Sequence, residues 1–299
     1  MVNIKTKECD NQVFCTGILE TMDVEERVGN NGKYVSANFV IKVEQEISGK
    51  MYVNRVRCSA SASEKNAQGV KSEKFAKILE WKNKFVPLSA CPEDEPEKAS
   101  RVRVGGAKLK ENSYYSRDGK LIEGFKIDVG FLNEAYNAPD ETHFEITGVL
   151  LDKKYLVTDE GESEDIEISF AVVGYNGRVE KLVFKTNKEM SPTAADYIMT
   201  NWELGETIPI YGVPFTYVTT NHREIEQAFG GSIIKESPRS HSDLFILKGP
   251  ASGLSEESSY DNDDIKVGLA DRIARLESKK NKSNSPTTPT TTSNPFAGF

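Results

Sequence analysis

The chain of 299 residues has little of what metal-dependent, secreted or membrane proteins require. It contains only four cysteines and three histidines, and no two cysteines form a C-x-x-C pair. Metal sites need ligands clustered at short spacing, so this scarcity favours free thiols in a reducing compartment. No apolar run approaches the roughly 18 residues that cross a bilayer. The polar start MVNIKTKECDNQ lacks the apolar stretch of a signal peptide. We therefore expect a soluble, cytoplasmic protein without a cofactor.

No arrangement for catalysis is present among the many carboxylates, because none is paired with a defined acid, base or nucleophile. Gly105-Gly106 is not followed by the Lys-Ser/Thr and helix that a phosphate-binding loop requires. The two glycines instead predict a bulge where a barrel strand bends sharply. We therefore expect a binding protein and not an enzyme.

The net charge of -8 argues against nucleic acid as a ligand, but the charge is unevenly distributed. Residues 1–140 carry 22 basic and 21 acidic side chains, whereas residues 141–249 carry 10 and 18. An acidic second half beside a neutral, locally basic first half indicates that the two halves have different functions.

The most informative stretch of the chain extends from Arg101 to Asn133. Apolar and charged residues alternate on both sides of Asp118-Gly119, and such a pattern is the strongest short-range sign of a β-hairpin. The outward face is basic, with tyrosines at the tip, which suits a flexible anionic polymer whose bases stack on flat rings. The candidate ligands on this hairpin are Arg101, Arg103, Lys108, Lys110, Tyr114, Tyr115, Arg117 and Lys120.

The first half predicts three strands, a helix and two strands. Turns at Asn30-Asn31-Gly32 and Ser48-Gly49 separate three β-rich segments. Helical spacing then follows from Ser72, a plausible N-cap, to Phe85. The basic hairpin supplies the last two strands.

The second half repeats this order. Its first strand, Phe144 to Val157, contains ITGVL, which is similar to TGIL at Thr16 to Leu19. A hairpin centred on Asn176-Gly177 has the residues that a type I′ turn requires. A duplicated module is the economical explanation of the repeated order.

The rest of the second half predicts one helix and two strands. Ser191 and Pro192 are suited to the N-cap and the first position of a helix. The last two strands, 205–218 and 242–249, would be separated by a longer, less regular insertion over 220–242.

The composition changes at Pro250. A short amphipathic helix is predicted over 264–279, and the low-complexity end that follows is too polar to order itself. We expect a flexible tail over 250–299 that recruits partner proteins through its terminal aromatic residues, Phe296 and Phe299. The expected organisation is an N-terminal nucleic-acid-binding module at 1–140, an acidic second module at 141–249 and this tail.

Five strands with a helix between the third and the fourth is the order of an OB-fold. The segments NGKYVSANFVIKV, VNRVRCSASASE and RVRVGGAKLKENSYYSRDGKLIEGFKIDV resemble the core of bacterial and phage single-stranded DNA-binding proteins. The second half resembles this family more faintly, in RVEKLVFKT and WELGETIPIYG. The resemblance implies a mainly β protein with two five-stranded OB-fold barrels in tandem, each with one helix between strands 3 and 4.

The resemblance also implies site residues. Tyr52 lies at or beside the family's tryptophan position in the third strand, and Arg55 takes the place of the family's arginine. Family tails end in an acidic run beside Pro-Phe, whereas here the acids at 261–264 lie far upstream of the terminal NPFAGF. This departure and the tandem arrangement point to a phage or mobile-element version. Further candidate ligands are Lys33, Tyr34, Tyr52, Arg55 and Arg57. Arg55 and Arg57 could also be ordinary solvated residues of a strand.

The sequence therefore predicts a sequence-independent single-stranded DNA-binding protein that acts in replication or recombination. Basic side chains would release counterions from phosphates, while tyrosines stack on bases. Its partners would be single-stranded DNA and, through the tail, replication or recombination proteins. The alternative is a β-rich viral structural or assembly protein whose barrels make protein contacts. The oligomeric state and the preference for DNA over RNA stay open.

Overall fold

The computed structural model describes residues 7–283, except 30, 31, 67, 117, 159, 160, 227, 228, 230 and 231. This part of the chain is mainly β. The strands, in chain order, are β1 (Asn11–Gly29), β2 (Gly32–Ile47), β3 (Lys50–Ser63), β4 (Arg101–Gly105), β5 (Lys108–Glu111), β6 (Tyr114–Tyr115), β7 (Leu121–Ile122), β8 (Phe125–Asp128), β9 (Phe131–Glu134), β10 (Glu141–Thr158), β11 (Gly161–Val173), β12 (Val179–Lys185), β13 (Thr207–Glu226) and β14 (Ser232–Lys248). The α-helices are α1 (Glu73–Lys84), α2 (Ala194–Asn201) and α3 (Asn262–Ser283).

The sequence predicts a serine N-cap for each of the first two helices, and the structure has one of them. Ser72 caps α1 as predicted, since its Oγ accepts a hydrogen bond from Phe75 N at 3.3 Å. The predicted N-cap Ser191 is wrong, because α2 begins at Ala194 with Thr193 before it. The hydroxyl of Ser191 instead donates to Leu247 O at 3.3 Å.

Twelve of the described strands form one sheet, in which β1 and β10 join the two halves of the chain. Residues Asn11–Thr16 of β1 pair antiparallel with Glu141–Ile146 of β10. The two halves of the chain are therefore joined without a free linker, because the residues before 141 lead directly into a strand that pairs with β1.

In the first half the chain of pairings runs from β1 to β2, β3, β8 and β5. The step from β3 to β8 is parallel and pairs Cys58 with Ile127. A backbone bridge between Val13 of β1 and Ala107, the residue before β5, and the side chain of Asn11 then connect β5 back to β1. Asn11 Nδ2 donates to Leu109 O at 2.8 Å, and Leu109 N donates to Asn11 Oδ1 at 2.9 Å. The amide of Asn11 thus replaces the backbone pair that two strands would make here.

The second half closes entirely by backbone pairing. The order β10-β11-β12-β14-β13 returns to β10, with a parallel contact between Lys185 and Phe245. These five strands form a closed barrel of the OB-like type, which confirms the predicted mainly β class.

The two T-G-x-L segments have the same environment in the two halves. Gly17 of β1 faces the backbone of β2, where an added Cβ would lie 2.2 Å from Lys42 O. Gly148 of β10 faces β11, where an added Cβ would lie 3.0 Å from Ala171 O. Each glycine lets the first strand of its half cross close to the second strand.

The leucine that ends each of these segments also makes the same bond. The strand register shifts directly after Leu19 in β1 and directly after Leu150 in β10. Leu19 N donates to Ser100 O, just before β4, and Leu150 N donates to Glu206 O, just before β13, both at 2.9 Å. The halves therefore share a bulge and the contact that it makes.

The predicted basic hairpin is confirmed in its closed part. β5 pairs with β8 and β6 with β7, and Gly119 has the positive φ of 78° that its turn needs. The strand before it, β4, pairs instead with β1 and β9. The chain bends between them, where Gly106 has a φ of 57° and a Cβ on Gly105 would lie 1.9 Å from the ring of Phe131.

The predicted irregular insertion over 220–242 is wrong. β13 and β14 pair from Tyr211 opposite Lys248 to Glu226 opposite Ser232, with one register shift directly after Tyr211. The segment has few apolar residues, so it shows no alternation in the sequence, yet its backbone groups pair across a long hairpin. The predicted turn at Asn176-Gly177 is confirmed, since both residues have positive φ, 60° and 68°.

The chain after Pro250 differs from the predicted tail. Residues 262–283 form α3, which is longer than the helix predicted over 264–279 and packs on the body of the protein. Ile265 and Leu276 of this helix are buried, and Ile265 belongs to the main hydrophobic core. Phe296 and Phe299 lie outside the described residues. Within the described part, no helix has the length and apolar character that a membrane span needs.

Candidate nucleic-acid interface

The outer face of β2, β3, β8 and β5 presents basic side chains above an apolar core. β3 alternates strictly, so Val56 and Cys58 point inward while Arg55 and Arg57 are exposed. OB-folds bind oligonucleotides on the face of their second and third strands together with the hairpins that flank it. This face is therefore the candidate binding site for a nucleic-acid strand.

Strand register brings three cations into one line across this face. Cys58 pairs with Ile127 in the parallel β3–β8 contact, which sets Arg57 beside Lys126. Lys126 lies directly opposite Lys110 in the β5–β8 pair. Neighbouring strands are about 4.8 Å apart, so these side chains form a continuous stripe. We call Arg57, Lys126 and Lys110 the cationic row.

Most cations on this face are paired with carboxylates, but two members of the row are not. Arg57 and Lys126 are exposed and make no ion pair or side-chain hydrogen bond with any described residue. They are the cations most available to phosphate. The paired ones are Lys110 with Asp128 (2.5 Å), Arg55 with Glu20 (2.8 Å) and Lys42 with Glu44 (2.7 Å). Lys33 projects from the opposite side of β2, where it is paired with Glu26 (2.9 Å).

The basic residues at the start of the predicted hairpin lie elsewhere. Arg101 and Arg103 are on β4, which does not pair with the strands of the cationic row. Arg101 binds Asp140 and donates to Ala138 O at 2.8 Å, so it holds the chain that leads into β10. Arg103 donates to a threonine hydroxyl of β1. Lys108 shares the face of Lys110 on β5, but it is bound to Glu8 at 2.6 Å.

The two tyrosines at the hairpin tip have different surroundings. Tyr114 is 56% exposed, so a face of its ring is open to a base. Tyr115 is half-buried, with Lys280 Nζ of α3 lying 4.7 Å from its ring centroid. Lys120 is exposed beside them, and Arg117 lies outside the described residues. Tyr114 is therefore the better candidate for stacking.

Tyr52 does not belong to the exposed face of the cationic row, and Tyr34 lies on that face but away from the row. The ring of Tyr52 is on the inward side of β3 and packs edge-on against Phe215, with centroids 5.6 Å apart. It therefore takes part in the contact between the halves. Tyr34 is half-buried near the start of β2, opposite Arg27, and its partner Ser63 on β3 is six residues from Arg57.

A groove of about 380 Å³ lies next to the cationic row, where β3 diverges from β8 and approaches β13. We call it the inter-half groove, because both halves line it. Phe125 and Lys126, which line this groove, were not among the candidate ligands predicted from the sequence. Period-two alternation in β8 nevertheless indicates that Lys126 points outward. Its lining includes Asn38, Arg57, Asn112, Phe125, Lys126, Phe215, Thr216 and Ser242.

Side-chain amides fix the two sides of this groove against each other. Asn54, which is fully buried in β3, donates from Nδ2 to Pro214 O at 2.7 Å and accepts from Thr216 N at 3.1 Å. Gln45 of β2 makes the same two-bond contact with Thr142 of β10, at 3.2 and 2.6 Å. These bonds satisfy strand groups that would otherwise be buried without partners.

The chemistry of the face is suited to non-covalent binding. In the part of the chain that the structure describes, no group of three or more His, Cys, Asp or Glu could hold a metal ion. Burial raises the pKa of the Cys58 thiol well above its ordinary value, so this groove residue stays protonated and is a poor nucleophile.

Comparisons with known proteins agree with this architecture. A family model described as YorF matches residues 10–282. No curated protein matches the chain. The wild-type single-stranded DNA binding protein from Thermus aquaticus is similar in structure, with a TM-score of 0.53 and 12% identity, covering 86% of this chain and 98% of that one.

A deletion mutant of the same Thermus aquaticus protein gives a TM-score of 0.50 at 13% identity, over 85% of this chain and 98% of that one. The small single-stranded DNA-binding protein from Streptomyces coelicolor gives a TM-score of 0.26 at 12% identity, over 42% and 96%. At these identities the Thermus aquaticus similarities show the fold, and they extend over both halves of this chain.

Proposed function

The chain belongs to the YorF family, and for this member we propose that it binds single-stranded DNA without depending on a specific sequence. One observation carries the proposal. Arg57 and Lys126 lie side by side, exposed and without a carboxylate partner among the described residues, on the strand face that OB-folds use for oligonucleotides. The similarity in fold to proteins named for single-stranded DNA binding supports it.

Binding would combine two physical effects. Arg57 and Lys126 would displace counterions from phosphates, which makes the affinity depend on salt. Tyr114 would offer its ring to an exposed base, and such stacking tolerates any sequence because every base has a flat face. A duplex hides its bases, so the stacking contribution is available only to single strands.

The exposed ion pairs on this face would not prevent binding. Lys110 and Arg55 each have a carboxylate partner, but solvent-exposed ion pairs contribute only about 0–1 kcal/mol. A phosphate could replace the carboxylate at little cost. These residues, with Lys33, Lys108 and Lys120, are secondary candidates for phosphate contact.

We also propose that the chain contains two OB-fold modules that arose by duplication, at 1–140 and 141–249. The shared element order supports this, as do the bonds that Leu19 and Leu150 make at equivalent bulges. The acidic second module would contribute less to phosphate binding. The chain after Pro250 combines the docked helix α3 with the segment that follows it.

The biological setting follows from the same proposal. The protein would coat single-stranded DNA in replication or recombination, in the cytoplasm, as a phage or mobile-element product. Residues Phe296 and Phe299 would recruit partner proteins. The function is binding and not catalysis. No observation on the fold favours the alternative of a viral structural or assembly protein.

A competition gel shift with the full-length chain tests the proposal. A labelled single-stranded oligonucleotide is bound, and unlabelled single-stranded or duplex competitor of the same sequence is added. We expect the single strand to compete much better than the duplex. Equal competition by the duplex would contradict the proposal. The full chain is needed because β1, Gln45 and Asn54 all bond to the second half.

A further inference from the structure

We infer that the inter-half groove is a pocket for one nucleobase of the bound strand, so that one nucleotide is held by both halves of the chain. This inference rests on the proposed function and adds a site to it. The groove combines apolar ring surface with hydrogen-bonding side chains and lies against the two cations that lack carboxylate partners.

The lining of the groove matches the chemistry of a base. The rings of Phe125 and Phe215, one from each half, supply apolar aromatic surface. Thr216 and Ser242 place two hydroxyl groups together, with their Oγ atoms 2.8 Å apart. The remaining polar lining that could reach a base edge consists of the amides of Asn38 and Asn112.

The position of the groove matches a strand lying on the cationic row. Arg57 and Lys126 belong both to the row and to the groove lining. A phosphate bound by these cations would therefore leave its own base at the mouth of the groove. A base that is unpaired can turn into such a pocket, whereas one in a duplex cannot.

The size of the groove limits what it accepts. Pockets that hold small ligands span about 300–1,000 Å³, and this one, at about 380 Å³, is at the small end of that range. One nucleotide suits such a volume better than a longer segment of the strand.

The groove is preformed. Phe215 packs edge-on against Tyr52 and also contacts Phe245, with ring centroids 6.2 Å apart. Asn54 holds the backbone on both sides of Phe215 through its bonds to Pro214 and Thr216. Because these walls are fixed before binding, little ordering is needed when a base enters.

This pocket would give the protein a base preference. Stacking on Tyr114 does not distinguish bases, but hydroxyl and amide groups in a fixed pocket favour the base whose edge they can match. The chain would then bind every single strand, but its affinity for a homopolymer would depend on which base occupies the pocket.

Photo-crosslinking locates the base directly. The full-length chain is bound to an oligodeoxythymidylate that carries 5-iodouracil at one position, irradiated, digested and analysed by mass spectrometry. We expect crosslinks to peptides that contain Phe125 or Phe215. Crosslinks confined to the hairpin peptide with Tyr114 would overturn the pocket while leaving single-strand binding intact.

A paired variant tests the recognition. Thr216→Val with Ser242→Ala removes both hydroxyls of the mutual hydrogen bond, so no unpaired partner is left and the fold should be retained. Ser240→Ala, on the same strand beyond the groove, is the matched control. Thermal melts confirm that each variant is folded.

Affinities for oligo-dT, oligo-dA and oligo-dC are then compared. We expect a spread of about tenfold in the parent and in Ser240→Ala, reduced to about twofold in the paired variant. No spread in the parent, or a spread unchanged in the paired variant, would overturn the pocket. Failure to bind any of the three would overturn the proposed function with it.

Discussion

Arg272 of α3 and Glu111 of β5 form a buried, two-pronged ion pair. Arg272 Nε and Nη2 donate to Glu111 Oε1 at 2.9 and 2.6 Å, and the two side chains are only 7% and 6% exposed. Arg272 Nη2 also reaches Glu123 at 3.2 Å. Glu111 and Glu123 flank the hairpin tip, so the C-terminal helix holds both arms of the hairpin that carries Tyr114.

Substituting Arg272→Met should destabilise the protein strongly. Removing one partner of a buried ion pair leaves the other charge without compensation, which costs about 3–5 kcal/mol. Urea unfolding measures the loss. Lys266→Met is the matched control, since its ion pair with Asp263 on the same helix is fully exposed and solvent screens it, so its loss should leave stability nearly unchanged. Equal effects of the two substitutions would show that α3 does not brace the hairpin.

Truncation should separate α3 from the segment after it. A chain ending at Ser283 keeps the Arg272 contacts, so we expect unchanged affinity for single-stranded DNA and loss of partner capture, because Phe296 and Phe299 are removed. A chain ending at Tyr260 loses α3, so we expect weaker DNA binding and faster amide exchange across 112–124. Full DNA affinity in the shorter chain would mean that the hairpin needs no support from the helix.

Tyr114→Ala should weaken single-strand binding without loss of stability, because the ring is exposed. The loss of one stacked base costs about 1–3 kcal/mol. Tyr175→Ala is the control, since Tyr175 is 77% exposed in a turn of the second half. Fluorescence anisotropy gives the two dissociation constants. If Tyr175→Ala weakened binding as much as Tyr114→Ala, the stacking site would not be the hairpin tip.

His143 should make stability depend on pH. Its ring stacks between Phe14 and Tyr211, with centroids 4.5 and 5.0 Å away. Burial lowers its pKa, although Glu141 and Glu145 oppose this. The unfolded chain therefore binds the proton more readily than the folded one, so stability is full above the unfolded pKa of about 6.5 and falls as pH drops through that region.

His143→Phe provides the comparison, because phenylalanine keeps the stack and does not titrate. We expect the parent to lose stability relative to His143→Phe as the pH falls below about 6.5 in thermal melts. Parallel curves would show that protonation of His143 does not affect folding. The difference between the two curves removes the contribution of the carboxylates, which titrate in both proteins.

Local signals in the sequence predicted the elements that local chemistry determines. The Ser72 cap, the turn at Asp118-Gly119 and the turn at Asn176-Gly177 each depend on residues within a few positions of one another. The similarity of the T-G-x-L segments at Gly17 and Gly148 also corresponds to a shared structural feature.

The candidate site was only partly predictable, because its members meet through long-range pairing. Lys126 lies beside Arg57 only because β8 joins β3 in parallel, and no local pattern indicates that register. Tyr52 faces the second half because β3 extends past β8 and meets β13. The ion pair of Arg272 with Glu111 likewise joins residues far apart in sequence.

The salt dependence of binding tests the central claim most directly. The dissociation constant for a single-stranded oligonucleotide is measured over a range of KCl concentrations for the full-length chain and for Arg57→Gln with Lys126→Gln. Each phosphate contact contributes about 0.7 to the slope of log affinity against log salt, so the variant should have a slope smaller by about 1.4 and a lower affinity. Lys188→Gln, an exposed lysine of the second half, should leave the slope unchanged. A double variant with the parent's slope and affinity would contradict the assignment of the cationic row as the phosphate-binding site.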